Sequence, residues 1–199
     1  MIRKSAIHLV NIIDENLELD RQQHDKVRFT LEVILTDISK ILIILFISRI
    51  MGISRDLMIV LLFSFPLRIN VGGFHMKKYF SCLIFSSIYL FTIFYLNTSL
   101  QVETPILVVV GIICGIIIFS IAPIVPRERV ETTSMKIKQL KIRATILSII
   151  YVTLFTIINN PYTRYGIWVI IIQTALLLIA KGVKTNEKKI IKQATTTTL

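Results

Sequence analysis

Cysteine and histidine are nearly missing from this sequence: two of the first and three of the second in 199 residues. Two thiols cannot build a disulfide framework, so Cys82 and Cys114 are expected to stay reduced. His8, His24 and His75 share no ligand spacing, so no metal site is expected. No glycine-rich phosphate loop is present, which argues against a nucleotide, and no other cofactor is expected. Nor is there an internal repeat, or the strict alternation of apolar and polar residues that an outer-membrane barrel needs. Acidic residues are scarce as well, 12 against 23 lysines and arginines, for a net charge of +11.

What is abundant is apolar side chain. Hydrophobic residues make up 54% of the chain and the mean hydropathy is +0.72, more than a soluble domain of this size keeps in solution. Several runs approach the roughly 20 residues that cross a hydrocarbon core as helix. The reading is an all-α integral membrane protein with about six transmembrane helices, near 33–52, 57–67, 80–97, 105–122, 143–159 and 165–181. The second is short for a crossing, unless it is tilted or continued by a re-entrant segment packed inside the bundle. Residues 1–185 are taken as one membrane-embedded domain, and the polar segment 186–199 as a disordered tail. The first thirty residues carry both signs of charge, so no cleavable signal peptide is expected. Ile2, Ala6, Leu9, Ile13 and Leu17 recur there at helical spacing. That pattern suits either a helix in the headgroup plane or a cap packed on the bundle.

Basic residues set the orientation, because lysine and arginine near span ends are retained in the cytoplasm. All but Lys40, Arg49, Arg55 and Arg164 fall before the first span, between the second and third, between the fourth and fifth, or after the last. The loop NTSLQVET has none. Both termini, and the loop RINVGGFHMKKYFSC at 68–82, are therefore expected to face the cytoplasm. The charge then needs no nucleic acid as partner, since topology and attraction to an anionic bilayer account for it.

That loop holds the one histidine and cysteine close together near a single membrane face. A cysteine nucleophile acts as its thiolate, and a neighbouring imidazole supplies it by taking the proton. In one regular helix, seven residues return to nearly the same face but rise about 10 Å, too far for the side chains to meet. A catalytic pair of His75 and Cys82 therefore requires a broken helix, which Gly72 and Gly73 permit. Cys82 would then open the third span, where unpaired amides favour a negative sulfur. Lys77 and Lys78 read as topology determinants. Arg68 either snorkels to the interface or clamps a substrate carboxylate.

The order Arg68, Gly72, Gly73, His75, Cys82 between the second and third spans resembles the accessory gene regulator B (AgrB) family of quorum-sensing peptide proteases. The charged N-terminus, KVRFTLEVILTDISK entering the first span, APIVP after the fourth, and the basic tail extend the likeness over nearly the whole chain. The resemblance implies a membrane cysteine endopeptidase acting on an AgrD-like precursor peptide. His75 would be the base and Cys82 the nucleophile. The acyl group left on Cys82 would pass to a cysteine or serine of the peptide, closing a thiolactone or lactone. It also implies a homodimer, and a supporting role for Glu32 beside His75 or the substrate. Amides near Gly72 and Gly73 are expected as oxyanion donors.

Two features depart from the family pattern. Met76 stands where a small residue is common, and IVPRERVETTS follows the AP pair where a lysine-proline pattern is usual, so peptide selection is expected to differ. The alternative reading is a non-catalytic small-solute or peptide transporter or export component, with Asp37 and Lys40 as a coupling pair. Against it, no matching interrupted segments of an inverted repeat are seen. Gly111 and Gly115 form a Gly-x-x-x-Gly pair, which serves either self-association or packing within one chain.

Overall fold

The computed structural model describes Val10 and residues 21–72, 79–124 and 134–197. Long apolar stretches with few glycines or prolines inside them favour helix, and the described residues from 21 onward form six: α1 Arg21–Ile50, α2 Ser54–Val71, α3 Tyr79–Ser99, α4 Thr104–Ile121, α5 Ser134–Ile158 and α6 Pro161–Thr197. The described residues contain no strand, only a single parallel bridge between Gly72 and Ile124. All six expected segments are helical, but their ends lie further out than apolar length suggests. The second is 18 residues rather than eleven, because Ser54–Asp56 and Arg68–Val71 complete its end turns. The backbone of α6 also stays helical to Thr197, where a disordered tail was expected from 186. Lys, Glu, Gln and Ala in that stretch are strong helix formers, and no proline or glycine follows Gly182 to stop them.

Among the described residues four helices are long and apolar enough to cross a membrane: α3, α4, α5 and the Pro161–Val183 part of α6. Helices α1 and α2 fall short of that standard through charge rather than length. Asp37, Lys40 and Arg49 interrupt the apolar part of α1, and Arg55, Asp56 and Arg68 flank that of α2. Large apolar side chains such as Leu62, Ile84, Ile116, Ile149 and Ile157 are exposed, as expected of surfaces that meet lipid rather than water.

The chain divides into two compact units, Met1–Ser54 and Arg55–Leu199. In the first, α1 ends in a Schellman turn: Ile53 N–H donates to Ser48 O (3.0 Å) and Gly52 N–H to Arg49 O (3.2 Å). Lys40 is buried, and its ammonium lies 3.0 Å from Asp37 Oδ1 one turn earlier.

In the second unit α6 is the central helix. Half of its span is buried, against 22% for α3, α4 and α5, and it packs on all three. Gly111 lets α4 approach closely, since a Cβ there would lie 3.3 Å from both Ile167 and Val152 side chains. The Gly-x-x-x-Gly pair thus serves packing within the chain at its Gly111 end. Helix α2 is anchored by Tyr151, which donates its hydroxyl to Phe63 O at 2.9 Å and packs edge-on against the Phe63 ring. At the start of α6, Asn160 caps the helix by accepting from Tyr162 N–H (3.0 Å), with Pro161 in the first turn. Tyr165 donates to Asp56 Oδ1 at 3.0 Å, Asn97 Nδ2 donates to Pro161 O at 3.3 Å, and the Arg164 guanidinium donates to Val102 O. Those bonds join the start of α6 to the start of α2, the end of α3 and the α3–α4 turn.

Candidate active site

Cys82 lies in the opening turn of α3 and is buried. Seven residues on, Tyr89 occupies the same face of α3 and is buried too. The Arg68 guanidinium, from the last turn of α2, sits over the Tyr89 ring with its carbon 5.5 Å from the centroid. The fold therefore brings Arg68 to the face of α3 that carries Cys82. No carboxylate partners Arg68 among the described residues. Ser64, one turn before Arg68, buries its hydroxyl beside that of Tyr89.

Beyond Arg68 the helix stops abruptly. Gly72 adopts φ +74°, and its N–H donates to Arg68 O at 3.0 Å. That amide is therefore already engaged, and an oxyanion donor from this turn would have to be another one. Here the chain crosses the segment that follows α4. Ile124 N–H donates to Val71 O at 3.1 Å, two residues after Ala122, whose peptide bond to Pro123 is cis. A Cβ on Gly72 would collide with the Ile124 carbonyl oxygen, so glycine is required by space as well as by φ. Gln173 of α6 closes the crossing, donating Nε2–H to Gly72 O at 3.1 Å. It stands near the middle of the Pro161–Val183 span. Irregular backbone is tolerated at membrane depth when protein supplies its hydrogen bonds in this way.

Of the residues singled out from sequence, Arg68, Gly72 and Cys82 are placed in this unit. His75 and Gly73 lie outside the described residues, as do Met76, Lys77, Lys78, Arg127, Arg129 and, apart from Val10, the N-terminal segment 1–20. Glu32 is on α1 in the first unit, where its backbone carbonyl accepts the Thr36 hydroxyl at 2.6 Å. Cys114 is partly buried in α4, and neither cysteine is in a disulfide. Among the described residues no group of histidine, cysteine and carboxylate side chains has the makings of a metal site.

Sequence reasoning passed over Ser64, Tyr89 and Gln173. The last left a legible sign, a lone amide inside the apolar run IWVIIIQTALLLIA. In a membrane span such a group needs a partner on another segment.

The family model for accessory gene regulator B matches residues 6–177. Accessory gene regulator protein B of Staphylococcus intermedius is 23% identical over 183 residues, 92% of this chain and 95% of that protein. An AgrB-like protein of Clostridium beijerinckii is 31% identical over 185 residues, 88% of each chain. A second AgrB-like protein, from Clostridium perfringens, is 24% identical over 88% of this chain and 95% of its own length. No solved structure gives a significant match. With four apolar helices of membrane-spanning length and a family match over most of its residues, this multi-pass membrane protein belongs to the accessory gene regulator B family.

Proposed function

We propose that the protein is a membrane cysteine endopeptidase that removes the C-terminal tail of an AgrD-like precursor peptide and promotes its cyclisation. The observation that carries this reading is the setting of Cys82: a buried thiol in the first turn of a span-length helix, downstream of a helix end at Gly72. His75, in the segment between Gly72 and α3, takes the thiol proton. The sulfur then adds to the scissile carbonyl, and His75 returns the proton to the departing amine of the tail. The remaining peptide is held on Cys82 as a thioester. A cysteine thiol or serine hydroxyl of the peptide attacks that carbonyl, its proton passes by way of His75 to the Cys82 sulfur, and the ring closes. Exchange of one thioester for another is nearly balanced in free energy, whereas attack by water would discard the activated acyl group. A site within a membrane bundle keeps that water out.

Arg68 is suited to hold a carboxylate of the precursor, since among the described residues its guanidinium is matched by an aromatic face and not by an acid. Gly72 and Gly73 shape the turn, and Glu32 has a supporting role in processing. The six helices cross the membrane with both termini and the 68–82 loop at the cytoplasmic face, and two copies assemble as a homodimer. Co-expression with a precursor tests the chemistry. Cys82→Ala and His75→Ala should each insert normally and leave the precursor uncut. Normal cleavage by Cys82→Ala would end the proposal.

A further inference from the structure

Gln173 is 2% exposed and has only one end of its amide engaged. Nε2 donates to Gly72 O, while Oε1 is buried with no hydrogen-bond partner among the described residues. An unfilled buried acceptor costs stability, but a methionine or leucine of similar volume would in turn leave the Gly72 carbonyl without this donor. The amide is therefore more than filler. What the amide does is grip one carbonyl, and that carbonyl is the last described backbone group before the segment carrying His75. The grip also has company, since Val71 O on the preceding residue is held by Ile124 N–H. Two consecutive carbonyls at the end of α2 are therefore fixed from two different parts of the chain.

We propose that Gln173 is a positioning residue for peptide processing: by holding the Gly72 carbonyl it fixes the backbone three residues before His75, and with it the approach of the imidazole to Cys82. The inference rests on the proposed peptidase reading. Gln173 touches neither substrate nor the reacting atoms and acts through the main chain. Small displacements of a catalytic base are expensive, which is why a distant amide can matter to rate.

The test uses the full-length protein in detergent with a synthetic precursor peptide, in a Cys114→Ala background so that alkylation by iodoacetamide reports Cys82 alone. Gln173→Met is expected to lower kcat about 10- to 100-fold, with KM changed less than about twofold. Its thermal midpoint should move little, because the change removes one unfilled acceptor, Gln173 Oε1, and takes the Nε2 donor from another, Gly72 O. The pH profile of Cys82 alkylation should move toward that of His75→Ala. Should Gln173→Met fail to accumulate, Gln173→Leu, which keeps a similar volume but has no donor for Gly72 O, is read in the same way. A parental kcat and alkylation profile in these variants overturns the assignment while leaving the peptidase reading intact, provided Cys82→Ala and His75→Ala are inactive. Cleavage by Cys82→Ala removes the peptidase reading, and the role of Gln173 falls with it.

Discussion

Gly52 and Gly72 end successive helices with the same φ, +74°, yet they do different things. Around Gly52 nothing lies within 4 Å of where a Cβ would stand, and the surrounding hydrogen bonds are local ones that close α1. At Gly72 a Cβ would strike Ile124, and the carbonyl is claimed by a residue 101 positions away. One glycine is a helix terminator. The other is a terminator placed where three segments of chain meet. The difference teaches that backbone conformation alone does not tell a turn from a site; what the turn touches does.

Substitutions can separate the two penalties that Gly72 combines. Gly72→Ala meets both a left-handed backbone and a collision, so a loss of about 3 kcal/mol is expected, with at least about a 100-fold fall in precursor cleavage. Gly72→Asn should be no better, since asparagine relieves the φ penalty but not the contact. Gly111→Leu isolates crowding in an ordinary helix, against Val152 and Ile167. It should lower stability by about 2 kcal/mol, visible as a reduced thermal midpoint in detergent. Gly52→Ala isolates the φ penalty and should cost about 1 kcal/mol, with cleavage by the folded protein unchanged. There Gly52→Asn should recover part of the loss, the opposite of the result at Gly72. Cys114→Ala, with the backbone carbonyl near Thr174 left in place, should shift the midpoint by less than about 0.5 kcal/mol equivalent. Equal responses of Gly52 and Gly72 to alanine and asparagine would erase the distinction.

Much of the fold was legible because apolar length is a strong signal in a chain of this composition. All six helices were anticipated, with α3 and α4 displaced by no more than two residues at either end. Boundaries were poorer where polar residues continue a helix, as in α2 and in α6 beyond Val183. Charged side chains lower hydropathy without opposing helix. Arg68 and Gly72 could be picked out in advance because a charge at a span end and a glycine pair are visible in one dimension. Tyr89 and Ser64 could not, since a tyrosine and a serine in an apolar helix give no hint of which face is buried.

Composition and the order of residues by themselves determined that this chain is a helical membrane protein of the accessory gene regulator B family, and singled out His75 and Cys82 as the pair on which the proposed chemistry rests. Tertiary structure alone decided that Ile124 and Gln173 hold Val71 and Gly72, and that Arg68 is carried onto the face of α3 bearing Cys82. The physical reason is that burial and helix formation follow from local transfer free energy and backbone geometry. Pairing of polar groups across 50 to 100 residues depends instead on how helices pack, and no periodicity in the sequence records that.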